Sequence, residues 1–181
     1  LLHRTDPGQP SVYPHQIAFN VLPHVETFAD ESGYTTEERK MMDETRKVLG
    51  LSEDDLRITA TCARVPVIAG HSESIRIRTR EPLSIERARE LLSGAPSVAL
   101  VDDPANARYP LAIDAVGRDD VLVGRLRHDP GPGGEQYLNL WVAGDNLRKG
   151  AATNAVQIAE LLHERGLASA EQRAARGVPV G

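Results

Sequence analysis

Thr61 to Arg80 reads TCARVPVIAGHSESIRIRTR. Its first half continues a run from Leu56 to Ile68 that is rich in Ile, Thr and Val, which predicts a strand. From Ser74 to Arg80 the residues alternate: Ile75, Ile77 and Thr79 fall on one side, Arg76, Arg78 and Arg80 on the other. An apolar/charged alternation of period two is the pattern of a half-solvated antiparallel strand. Three more strands are expected downstream, around Ser97 to Val101, Asp120 to Arg127 and Tyr137 to Ala143. Between the last two, DPGPGG (Asp129 to Gly134) has turn chemistry. The expected fold class is α+β, with a mixed, mostly antiparallel sheet covered by helices on one face.

Working outward, the helices announce themselves by their ends. Thr35 and Glu38 have capping-box spacing. Met41, Met42, Val48 and Leu49 lie on or beside one face, and Gly50 is a natural stop. Ser84 caps a second helix that turns Ile85, Ala88, Leu91 and Leu92 inward and ends at Gly94. A closing helix, Leu147 to Arg165, carries an apolar face of Ala151, Ala155, Ile158, Ala159 and Leu162. Ile17 to Val21 is short and apolar enough for a buried strand. Residues 1–16 read as a linker, 17–166 as one folded domain, and 167–181 as a tail. The start, Leu1-Leu2-His3-Arg4, reads like the interior of a longer chain, so a fragment is expected.

The totals set limits. A formal net charge of -5 argues against a nucleic-acid partner. No apolar run approaches the roughly 20 residues that span a bilayer, and no secretory signal pattern is present. Cys62 is the only cysteine, so no intrachain disulfide can form, and a reducing, cytoplasmic setting is the expectation. No GxGxxG or GxxxxGK[ST] turn occurs, and no metal site is expected.

Three groups of residues could carry chemistry. Arg64 could clamp a carboxylate with two parallel hydrogen bonds, while His71, just past Gly70, could exchange protons near neutrality. Spacing alone favours the plainer reading, an ordinary ion pair and a histidine in a turn. Glu37 and Lys40 share a helix face, where they could meet an ammonium and an anion or simply pair with each other. Asp145 or Asn146 would cap the closing helix, with Arg148 and Lys149 in its first turn. Cys62 should lie in the core, where a thiol is inert unless its pKa is lowered.

Four segments resemble the bacterial type of aspartate-semialdehyde dehydrogenase: PHQIAFNVLPHVETF, GYTTEERKMMDETRKVLGL, TCARVPVIAGHSESI and DNLRKGAATNAVQIAE. They occur in the family's order and together span residues 14–160. The resemblance implies a C-terminal domain like that of glyceraldehyde-3-phosphate dehydrogenase. It implies that His71 is the acid/base, that Arg64 binds the substrate α-carboxylate, that Glu37 binds its amino group and that Lys40 binds inorganic phosphate. Asn146 would reach the nicotinamide of NADP, which is bound mainly by an N-terminal domain that also supplies the nucleophilic cysteine. The implied partners are aspartate semialdehyde, phosphate and a second copy in a homodimer or tetramer, and this stretch alone would be inactive. Two alternatives share the architecture. One is a non-catalytic paralogue acting as a dimerisation module; the other is an enzyme like N-acetyl-glutamyl-phosphate reductase. An acetylated amine would need no carboxylate partner, so Glu37 favours a free amino acid.

Overall fold

In the computed structural model, described over residues 12–167 and Ser169, the capping box at Thr35 and Glu38 is formed. The Glu38 N–H donates to Thr35 Oγ1 at 3.3 Å, and the Thr35 N–H donates to Glu38 Oε2 at 2.8 Å. They start helix α1, Thr36–Leu49, which ends at Gly50 in the left-handed conformation, φ 66°. Most of the expected linker and tail lies outside the described residues. The chain divides into two compact units, Leu1–Ile68 and Ala69–Gly181.

The first unit is built around α1. Met42 is buried on it, but Val48 and Leu49 face solvent. The expected strand over Leu56 to Ile68 does not form. Leu56, Ile58, Ala60, Cys62 and Arg64 are half-buried and the residues between them exposed, so the alternation is there. What is lacking is a ladder partner: the run makes one isolated antiparallel bridge, Arg64 to Leu22. The Ile17 to Val21 strand is also absent, with Phe19 at φ 58° and exposed. Leu22, just beyond it, is the buried residue of this segment.

The second unit holds a four-stranded sheet in the order β1-β4-β3-β2. The strands are β1 (His71–Arg78), β2 (Val98–Leu100), β3 (Val121–His128) and β4 (Tyr137–Gly144). The β1–β4 and β4–β3 pairs are antiparallel, and β2–β3 is parallel. A parallel pair needs a crossover; here it contains the short helix α3, Ala112–Ala115. Helix α2, Ile85–Ser93, is capped by Ser84, whose hydroxyl accepts from the Arg87 N–H at 3.1 Å. Its Ala88 packs with Val123, Leu126, Leu138 and Leu140, while Ile75, Ile85 and Leu92 close the same cluster. Leu91, expected inward, is exposed.

Helices therefore lie on both faces, which corrects the one-sided expectation. On the second face Ala115 of α3 packs with Leu122 and Ala143. The closing helix also differs: a π-helical turn, Arg148–Ala152, precedes α4, Thr153–Glu164. Val156, Ile158, Leu161 and Leu162 of α4 are exposed, so its apolar face is not part of this core.

Strand β3 bulges between Gly124 and Arg127, and Arg125 takes φ 58°. A bulge removes ladder partners from backbone N–H groups. Asp102 replaces them: its Oδ1 accepts from the N–H groups of Arg125 at 2.7 Å and Leu126 at 3.4 Å. Its side chain is 1% exposed, and Oδ2 lies 2.8 Å from Arg89 Nη2, an ion pair without hydrogen-bond alignment. Gly124 is needed for a different reason. A Cβ there would sit 2.0 Å from the Val101 carbonyl oxygen, so the backbones could not approach. Asp102→Ala leaves the N–H groups of exposed Arg125 and buried Leu126 without this acceptor and is expected to cost about 2 kcal/mol in urea unfolding. Ser84→Ala is expected to cost about 1 kcal/mol by loss of its cap.

Candidate functional site

In the first unit, Glu37 and Lys40 stand on the opening turns of α1 and pair with each other, Lys40 Nζ donating to Glu37 Oε2 at 3.2 Å. This hydrogen bond, then the Glu37 charge, raises the Lys40 pKa, so the lysine stays cationic across neutral pH. The pair is largely solvated, which makes it weak and replaceable by charged ligands. Arg64 is half-buried and held through its backbone: its N–H donates to Leu22 O at 2.8 Å and its carbonyl accepts from the Leu22 N–H at 3.0 Å. Its guanidinium lies over the Tyr13 ring, 5.1 Å from the centroid, and among the described residues it makes no ion pair of the kind that spacing favoured.

Between these two places runs a link that the sequence did not disclose. Glu38 is 5% exposed and its second oxygen, Oε1, accepts from the Cys62 N–H at 2.8 Å. The backbone bonds from Thr35 and then Cys62 hold its carboxyl below the usual glutamate value. Cys62 itself is half-buried rather than in the core, with Sγ 3.3 Å from Met41 Sδ. A cavity of about 330 Å³ in this unit is lined by Phe28, Tyr34, Thr35, Glu38 and Thr61; Glu37, Lys40 and Arg64 are not among its walls.

In the second unit, His71 opens β1 rather than following a strand, and its ring is exposed. Gly70, before it, has φ 90°, and a Cβ there would meet the Ala112 carbonyl at 2.9 Å. Only glycine fits that turn comfortably. His71 and Asn146 line one cavity of about 330 Å³, together with Glu73, Asp145, Lys149 and Asn154. Asn146 Oδ1 accepts from the Gly70 N–H at 3.1 Å, next to His71. Strand alternation places Glu73 on the His71 side of β1, and Lys149 lies one helical turn beyond Asn146. Those offsets were readable from the sequence, but nothing in it marked a shared cavity. Lys149 Nζ donates to Gln157 Oε1 at 2.6 Å.

Asp145 shapes this cavity. It is 6% exposed, and its Oδ1 accepts from the Leu147 N–H at 2.8 Å and the Arg148 N–H at 3.0 Å. Its Oδ2 accepts from the Gly117 N–H at 2.8 Å. The Gly117 bond, then the Arg148 bond, lowers its pKa. Asp145, not Asn146, is thus the residue that caps the closing turn.

These features can be set beside known proteins. A family model described as "Semialdehyde dehydrogenase, dimerisation domain" matches residues 1–149. The chain belongs to this family. It is 54% identical over 159 residues to the aspartate-semialdehyde dehydrogenase of Aquifex aeolicus, covering 86% of the chain and 44% of that protein. It is 53% identical to the Legionella pneumophila enzyme, covering 89% of the chain and 45% of that protein. Among solved structures, aspartate semialdehyde dehydrogenase II from Vibrio cholerae aligns with a TM-score of 0.78 at 42% identity. It covers 87% of this chain and 45% of that one. A second structure of the same enzyme, "complexed with ASA", aligns equally well. The chain therefore spans less than half the length of these relatives. The α+β class and the mixed sheet are those of the family members.

Asp145 yields a prediction with a definite sign. A carboxylate whose folded pKa is lowered contributes stability above its unfolded value, and that stability is lost as pH falls through the folded pKa. Asp145→Asn should therefore lower stability at neutral pH and shrink the acid loss of stability, as urea midpoints measured from pH 7 to pH 3 would show.

Proposed function

We propose that this chain supplies the acid/base, substrate and phosphate contacts of an NADP-dependent, phosphorylating aspartate-semialdehyde dehydrogenase. The full-length parent interconverts aspartate semialdehyde plus inorganic phosphate with β-aspartyl phosphate. The observation that carries this reading is the 54% identity to a relative of that name over 159 residues. The pathway served is aspartate-family amino-acid synthesis, towards lysine, threonine and methionine, in the cytoplasm. The name of the matched family supports a homodimer. No described helix is long and apolar enough to cross a membrane.

The chemistry asks for one proton carrier, two opposite charges for an amino acid, and a cation for phosphate. His71, exposed at the mouth of a cavity, takes the proton released as a thiol adds to the aldehyde and returns it in the reverse direction. Arg64 receives the α-carboxylate in a forked pair, and Glu37 receives the ammonium. Lys40 receives phosphate; because its bond to Glu37 is solvated, the two can separate when their ligands arrive. NADP, when bound, would supply the hydride acceptor needed for oxidation to the thioester level. Asn146 is the residue of this chain proposed to face its nicotinamide. The cavity's amide and lysine groups suit a carboxamide, and Asn146 Nδ2 could donate to one. The nucleophilic thiol and the dinucleotide fold would come from the part of the relatives that this chain does not span. Cys62 is half-buried with its Sγ against Met41 Sδ, and it is not assigned that role.

Phosphate-dependent NADP reduction by the full-length parent with aspartate semialdehyde tests the assignment. Activity in the parent, with a loss of about a hundredfold or more in His71→Ala, is the expected result. An intact parent without turnover on this substrate would move the reading to a non-catalytic paralogue or to an enzyme like N-acetyl-glutamyl-phosphate reductase. Lys40→Ala should raise the KM for phosphate about tenfold with a smaller change in the KM for the aldehyde, since one charge-assisted contact is removed.

A further inference from the structure

The Glu38 carboxylate joins the two backbone segments of the first unit that carry Glu37, Lys40 and Arg64. One oxygen holds the Thr35 N–H at 2.8 Å, at the start of the turn bearing Glu37 and Lys40. The other holds the Cys62 N–H at 2.8 Å, two residues before Arg64. The segment from Leu56 to Arg64 has no ladder of its own; its other backbone tie at this end is the Leu22–Arg64 bridge. The group is 5% exposed, so its two bonds are shielded from competing water. Capping alone would need only one of those oxygens. From this geometry we infer that Glu38 is a positioning residue for substrate, setting the separation between the Glu37–Lys40 turn and Arg64.

A zwitterionic amino-acid aldehyde has its ammonium and carboxylate on one carbon, so the groups that receive them must be held at a matching spacing. A loosened Arg64 segment would still carry its charge but would meet the carboxylate less often in the productive geometry. Glu38→Gln isolates the effect. The amide keeps the size of the side chain, yet it presents one acceptor and one donor where two N–H groups require two acceptors.

The inference rests on the function proposed above, and full-length enzyme is the material for its test. Steady-state kinetics of wild type, Glu38→Gln and the destabilised control Ser84→Ala are measured with both substrates varied, beside thermal melts. The expected result for Glu38→Gln is a rise of about tenfold in the KM for aspartate semialdehyde, the size of one well-oriented charged contact. Its kcat should stay within about threefold of wild type and the pH profile of kcat should be unshifted, because His71 is untouched. Ser84→Ala should lower Tm with both KM values unchanged. If Glu38→Gln lowers Tm but leaves the KM values alone, Glu38 is only a helix cap and the inference falls while the function stands. A wild-type parent that melts cooperatively but does not turn over this substrate removes the function and the inference together. Should Glu38→Gln fail to fold, Glu38→Asp replaces it, being one methylene too short to span both N–H groups.

Discussion

Backbone N–H groups in irregular segments must find acceptors, and in this chain buried carboxylates provide them. Glu38 serves Thr35 and Cys62, Asp102 serves Arg125 and Leu126, and Asp145 serves Gly117, Leu147 and Arg148. Each case lies where regular structure stops: an extended run without a ladder, a bulge in β3, and the turn after β4. An unpaired buried N–H costs free energy comparable to a lost hydrogen bond, so these three side chains decide which irregular backbone paths are stable. The sheet and helices form by ordinary patterning; the places where they are interrupted depend on these acids.

The interruptions are also where residues proposed for the chemistry lie. His71 opens β1 after a tight Gly70 turn, and that turn is fixed by the Asn146 side chain. Asn146 in turn follows Asp145, which anchors the start of the π-helical segment. In the first unit, Glu37 and Lys40 ride on the turn whose N-terminus Glu38 helps to cap. Side chains on such backbone need more than strand or helix geometry to hold them, and the hydrogen-bonded carboxylate supplies a directional restraint.

Much of the fold was legible because local signals and tertiary outcome agreed. The alternation of Ile75 and Ile77 with arginines matched β1, and the caps at Thr35, Ser84 and Gly50 matched helix ends. The π-helical turn could not be anticipated, because nothing in RKGAA distinguishes it from the α-helix that follows. Nor could the exposed face of α4, since an apolar stripe says that something should cover it and not which part of a protein does so.

What the sequence by itself determined was the set of candidate residues: their types, their order in the chain, and the periodicities that make strands and helices. Those are local properties, carried by backbone propensity and side-chain spacing. Only the tertiary structure decided pairing. Leu56 to Arg64 has the alternation of a strand yet stays a lone extended run, because a ladder needs a second segment in register and Leu22 offers a single bridge. Likewise, Glu38 was readable as a cap, but its bond to Cys62 spans 24 residues of chain and arises only when the fold brings that N–H within reach.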